Sequence, residues 1–162
     1  MQAEATLRPL RAEDRGTLRR ILEQTLAFST AEIRVALELI DYALGKPGQT
    51  DYRFAGIERP DGSLAGYMCY GEIPLSDRCW DLYWIAVNPA DQGKGLGRTM
   101  IRSMEEDLRR RGARKLFIET GGKTSYGSTR AFYEASGYRE MARLPDFFAP
   151  GDDKVIFGKD LA

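Results

Sequence analysis

The sequence predicts an α/β fold, one mixed sheet with helices on both faces. Three observations lead there. Segments with helical spacing alternate along the chain with short segments rich in aromatic and β-branched residues. One of these, Leu82–Val87, is nearly continuously apolar, as suits a central strand covered on both sides. Beyond it, after Pro89, come a glycine-rich stretch and a strongly periodic helix.

The elements read in the order β-α-α-β-β-β-α-β-α-β-β. Ala5–Pro9 is a short extended segment, and Leu18, Ile21, Leu22 and Leu26 recur at helical spacing within a helix over about residues 12–26. Ser29-Thr30 followed by Glu32 predicts the cap of a second helix, with Ile33, Leu37, Ile40 and Leu44 on its apolar face and Gly45 and Pro47 ending it. Asp51–Glu58 and Leu64–Ile73 read as strands joined by the turn Pro60-Asp61-Gly62, with Pro74 stopping the second. Cys79–Asn88 is the next strand. After the glycines, Met100, Ile101, Met104 and Leu108 mark the inward face of a helix that ends at Arg111-Gly112. Lys115–Thr120 is a strand, and a short helix over about 127–136 closes on Gly137. Two strands, about 138–144 and 154–159, flank a loop from Pro145 to Asp153. Neither a repeat nor a linker interrupts the chain, so residues 1–162 are expected to form a single domain.

The 162 residues suffice for a sizeable core, and 43% hydrophobic with 30% charged residues predicts a soluble, globular chain. Lys+Arg and Asp+Glu number 24 each, a balance that gives no support for long-range capture of nucleic acid or an anionic membrane. The expected partner is therefore a small molecule or a protein, and a homodimer is compatible with this composition. No apolar run approaches the ~20 residues of a membrane span. Met1-Gln2-Ala3-Glu4 lacks the basic region and apolar core of a signal peptide, so a cytoplasmic location is expected. In that setting Cys69 and Cys79 are expected as free thiols, although their neighbouring strands also allow a disulfide. The chain has no histidine, which removes the Ser-His-Asp triad, the Cys-His dyad and the usual zinc sites; no metal is expected. Acid–base chemistry must then use carboxylates, Tyr, Cys, Lys or water.

Gln92-Gly93-Lys94-Gly95-Leu96-Gly97-Arg98 follows the apolar strand and opens a helix. Glycines let backbone N–H groups approach a ligand, and a helix N-terminus adds partial positive charge, so the stretch favours phosphate oxygens. Spacing decides among phosphate loops. A Walker A loop fails, because Lys94-Gly95 has the wrong order and Gly122-Lys123-Thr124 has Phe117 where the first glycine belongs. A dinucleotide fingerprint fails at Arg98, its third position. The frame Q-x-x-G-x-G fits Gln92, Gly95 and Gly97.

With that frame the chain resembles the GNAT superfamily of acyl-CoA N-acyltransferases, most specifically over Tyr83–Tyr138. Trp84-Ile85-Ala86-Val87-Asn88-Pro89 is similar to the family's central strand, and Ala131–Tyr138 to its fourth helix and following turn. The resemblance implies a mostly antiparallel twisted sheet of about seven strands with one splayed pair, here Leu82–Val87 and Lys115–Thr120. It implies acetyl-CoA as co-substrate, with backbone groups of Ile85, Ala86 and Val87 pairing with pantetheine. Backbone N–H groups of Gln92, Gly93, Lys94, Gly95, Leu96, Gly97 and Arg98 would hold the pyrophosphate, Lys94 and Arg98 adding charge. Many members carry Asn where this chain has Tyr126; Ser128, Thr129 or Arg130 would substitute.

The implied reaction is attack of an amine on a thioester, which needs a base, oxyanion stabilisation and an acid for the thiolate. Tyr133 matches the family's proton donor, and its neighbour Phe132 is expected in the core. Glu119 is the favoured base, with Glu72 and Asp81 as alternatives at the ends of the two preceding strands. On the acceptor side the resemblance points to Phe28, Glu32 and Glu72 and to the last hairpin with Phe147 and Asp152. Aromatics beside carboxylates suit a small-molecule amine or an amino-acid-like acceptor. A protein N-terminus or lysine as acceptor, and a non-catalytic CoA-binding sensor, remain alternatives.

Overall fold

The computed structural model describes residues 4–162; Met1–Ala3, which begin the segment read above for a leader, lie outside them. The elements run β1 (Thr6–Arg8), α1 (Arg15–Gln24), α2 (Thr30–Gly45), β2 (Arg53–Glu58), β3 (Leu64–Glu72), β4 (Cys79–Val87), α3 (Leu96–Arg110), β5 (Lys115–Gly121), α4 (Gly127–Ala135), β6 (Arg139–Ala149) and β7 (Asp152–Asp160), with short 3-10 turns before α1, α3 and α4. The seven strands form one mixed sheet in the order β1-β2-β3-β4-β5-β7-β6. Of the pairs whose register follows, β4–β5 is parallel and β1–β2, β2–β3, β5–β7 and β6–β7 are antiparallel. Among the described residues no helix is long and apolar enough to cross a membrane.

The chain divides into two compact bodies. The first takes the chain as far as Gly71 together with Trp84–Arg102. Its core packs Leu18, Ile21 and Leu22 of α1 and Ala36 and Ile40 of α2 with Leu64, Tyr67 and Cys69 of β3 and Ala86 of β4. α2 starts where the sequence places it. Ser29 Oγ accepts from the Glu32 N–H (3.2 Å) while the Glu32 carboxylate accepts from the Ser29 N–H (2.6 Å), a reciprocal capping box. Within this body Gly66 lies so close to β4 that a Cβ there would meet the Ala86 carbonyl oxygen at 2.4 Å. The Asn88 N–H continues the ladder to the Ala65 carbonyl (2.7 Å).

The second body comprises Glu72–Tyr83 and Ser103–Ala162. In it β4 pairs with β5 from Cys79↔Lys115 to Leu82↔Ile118, where the register ends, while β5 stays paired with β7 from Lys115↔Asp160 to Gly121↔Lys154. Both of its helix ends close by one mechanism. Gly112 (φ 73°) and Gly137 (φ 90°) adopt the left-handed conformation, and the next residues, Ala113 and Tyr138, donate back to the Leu108 (2.9 Å) and Tyr133 (3.0 Å) carbonyls.

Two expectations change, and one is met. The loop predicted over Pro145–Asp153 is largely strand: β6 runs to Ala149, and only Pro150-Gly151 turns before β7. Pro145 does not end the strand because the register shifts between Leu144↔Lys154 and Ala149↔Asp152, a bulge that absorbs a residue without an N–H to donate. Phe132 is only half-buried, whereas Tyr133 takes the core position at 5% exposure. Cys69 and Cys79 are both free, which removes the disulfide alternative.

Candidate active site

The glycine stretch lies wholly in the first body. β4 ends at Val87, and Asn88 caps a 3-10 turn over Pro89–Asp91 by accepting from the Ala90 N–H (3.0 Å). The Gln92 side-chain amide reaches back to the Val87 carbonyl at 3.4 Å. Gly93 (φ 79°) and Gly95 (φ 81°) are both left-handed, with Lys94 between them, and a Cβ built on either glycine would touch nothing within 4 Å. Alternation of this kind turns successive N–H groups toward one concave side. α3 then begins at Leu96, so the N–H groups of Leu96, Gly97 and Arg98 have no partner inside the helix. Lys94 and Arg98 are exposed beside them. Of the strand residues, Ala86 is buried in the core while Ile85 and Val87 are half-buried.

The titratable cluster lies in the second body. Asp81 of β4 is half-buried, and its carboxyl is pushed up to about 6, first by burial and then by the negative charge of Glu119, with Lys154 acting against both. Glu119, half-exposed near the end of β5, is ion-paired to Lys154 (2.8 Å). The Lys154 ammonium also sits 4.5 Å from the centre of the Phe147 ring, within cation–π range. Tyr133 packs among Phe132, Tyr138 and Phe157 (ring centroids 5.6, 6.4 and 5.9 Å). Burial raises its phenol well above the ordinary tyrosine value. Its surroundings are fixed by buried Glu105, which accepts from the Tyr138 hydroxyl (2.8 Å) and the Lys159 ammonium (2.8 Å).

Residues 18–138 match the Acetyltransferase (GNAT) family. The chain belongs to the GNAT family of acetyltransferases. A crystal structure of a Desulfovibrio desulfuricans protein assigned to the same family is 39% identical, covers 98% of this chain and all of that one (100%), and superposes with a TM-score of 0.93. The [ribosomal protein bS18]-alanine N-acetyltransferase of Escherichia coli (strain K12) is 30% identical over 73 residues, 45% of this chain and 48% of that protein. The match thus spans about half the length of that relative. The Salmonella typhimurium protein yncA, whose structure holds its cofactor acetyl-CoA, shares the fold at 19% identity and a TM-score of 0.73, over 99% of this chain and 95% of that one.

Within this GNAT chain the loop combines two left-handed glycines, open space around each and the start of α3, where the first N–H groups lack a partner inside the helix. Other residues named from the sequence have defined partners. Arg130 donates to the Gly121 (2.9 Å) and Lys123 (2.8 Å) carbonyls, so its guanidinium bridges the turn between β5 and α4, while Ser128 is exposed on the first turn of α4. Phe28 packs edge-on against Trp84 (5.3 Å). Glu32 commits one oxygen to the α2 cap, and Glu72 is exposed at the end of β3. Phe147 is 53% exposed and lies edge-on to Phe148 (5.0 Å). Asp152 has Oδ2 3.6 Å from the Lys123 ammonium, and its buried Oδ1 has no hydrogen-bond partner among the described residues. A cavity of about 480 Å³ in the first body, lined by Arg8, Arg11, Asp14, Arg20, Arg59 and Asn88 among others, includes none of the loop glycines. Lys154, Arg59 and Asp91 were not singled out from the sequence. Lys154 becomes visible only with the β5–β7 register, in which it is the diagonal neighbour of Glu119.

Proposed function

We propose that this chain transfers the acetyl group of acetyl-CoA to a primary amine of a small-molecule or amino-acid-like acceptor by direct attack. The observation that carries the reading is the loop Gln92–Arg98, whose left-handed glycines and open N–H groups at the start of α3 suit the cofactor's pyrophosphate. Backbone groups of Ile85, Ala86 and Val87 would pair with the pantetheine arm as an added strand does. Tyr133 keeps its proton through the physiological range, as a donor to a departing thiolate must.

Of the three carboxylates expected as base, Glu119, Glu72 and Asp81, the proposed one is Asp81 acting beside Glu119 and Lys154. Glu119 is held by Lys154, whereas Asp81 changes charge near the pH at which a base is most useful. Glu119 then raises Asp81 toward that range, and Lys154 limits the rise. Phe147 and Asp152 on the last hairpin are the proposed acceptor contacts. A peptide N-terminus is the second acceptor class, favoured by the relative named as an alanine N-acetyltransferase of ribosomal protein bS18.

Calorimetry with acetyl-CoA, CoA and NAD, followed by thiol release across a panel of amines and peptides, tests this. Both CoA species are expected to bind and NAD is not; failure of both CoA species to bind overturns the reading. Tyr133→Phe should lower turnover at least about a hundredfold while leaving CoA affinity nearly unchanged. Unchanged turnover removes the acid from Tyr133.

A further inference from the structure

We propose that Asp91 is a positioning residue for the glycine loop, clasping Arg59 of the β2–β3 hairpin on one side and Lys94 of the loop itself on the other. The inference rests on the reading of the loop as a pyrophosphate site.

Asp91 stands immediately before Gln92 and is only 4% exposed, an unusual place for a carboxylate unless it is paired. The Arg59 guanidinium meets it fork on fork: Nε lies 3.1 and 3.0 Å from Oδ1 and Oδ2, and Nη2 bonds Oδ2. Arg59 is itself anchored, with Nη1 donating to Ser63 Oγ (2.9 Å) and to the Leu64 carbonyl (3.1 Å). The hairpin therefore holds the guanidinium, and the guanidinium holds Asp91 in its ionised form. On the loop side the Lys94 ammonium lies 3.2 Å from Asp91 Oδ1 while its side chain stays 62% exposed.

Among the described residues no other ion pair reaches this loop, and at its far end the Gly95 carbonyl accepts from the Thr99 N–H (3.0 Å) and hydroxyl (3.1 Å). Gly93 and Gly95 have no side chain to pack, and their surroundings are open to 4 Å. The Gln92 contact with Val87 is long at 3.4 Å. Glycines reach the left-handed conformation readily but leave it as readily, so the directions of the N–H groups need an external anchor. Asp91 provides one at the loop's entrance and, through Lys94, another between the two glycines. A preorganised loop binds its anion more tightly because less ordering remains to be done.

The test compares the full chain with Asp91→Asn, Arg59→Gln and the double variant. CoA binding is read by calorimetry, and turnover is read with acetyl-CoA and with S-acetylpantetheine, which lacks the pyrophosphate. Each single variant is expected to weaken CoA about tenfold or more, and the double variant no more than the worse single. Turnover on S-acetylpantetheine should stay within about twofold, because loop order matters only to a donor that has a pyrophosphate. Asp91→Glu should recover part of the affinity. If Asp91→Asn does not fold, Arg59→Lys, which keeps the charge and loses the fork, should still weaken CoA several-fold. Wild-type CoA binding with unaltered binding in the variants overturns the clasp and leaves the cofactor reading standing. Equal losses on both donors also overturn it, since they mark a merely structural pair. No CoA binding by the wild-type chain removes the cofactor reading and the clasp together.

Discussion

Asp81 is the residue at which burial and charge most clearly set chemistry. Its carboxyl titrates near about 6 in the folded chain, against about 3.9 in an unfolded one. The fold thus favours its protonated form. That contribution to stability is complete below about pH 4 and is lost as pH rises through about 6. Asp81→Asn should therefore stabilise the chain at pH 8, by on the order of 1 kcal/mol once solvent screening of a half-exposed group is allowed for, and change little near pH 4. Thermal melts at the two pH values check this; no gain at pH 8 contradicts it. If Asp81 is the base, kcat/KM falls below about pH 6, the limb vanishes in Asp81→Asn, and Glu119→Gln moves it lower by removing the like charge. The sequence marked Asp81 only as one of three strand-end carboxylates. What separates it from Glu119 is burial first and then Lys154, which is ion-paired to Glu119 and lies 35 positions along the chain from it (154 against 119).

At the scale of elements, what was legible is what is local. Ser29 and Glu32 cap α2, Gly112 and Gly137 close α3 and α4, and Gly62 (φ 84°) turns β2 into β3, all through residues within one turn of each other. Gly137→Ala should lose about 1–2 kcal/mol, because it places a side chain at φ 90° and a Cβ 3.3 Å from the Lys159 ammonium that holds Glu105. A shift in denaturant midpoint with an unchanged slope would register this. The β6–β7 hairpin was misjudged because Pro145 looks locally like a strand terminator. Only its partner β7, supplying the shifted register, shows that the strand resumes. The same distinction divides the site. The glycine frame is contiguous and therefore legible as a motif, whereas the Arg59–Asp91 pair joins positions 32 apart and has no local signature.

For the molecule as a whole, β4 and α3 each contribute residues to both compact bodies. Each of these elements is continuous, so a single cooperative unfolding transition is expected. Calorimetric and van't Hoff enthalpies should agree, and two resolved transitions would contradict this. The formal charge balance of 24 against 24 leaves no net repulsion between copies near neutral pH. A sheet edge is then blunted by its own local charges and by its shape. β6 is the last strand of the sheet order, is exposed along its length, and carries Met141, Leu144, Phe147 and Phe148. A straight strand of that composition would template a neighbour's backbone and seed fibres. The Leu144–Ala149 bulge, with Pro145 lacking an amide to offer and Asp146 turned to φ 53°, breaks that template. The irregularity that hides the strand in the sequence thus interrupts the row of backbone groups on which a neighbour's strand could stack.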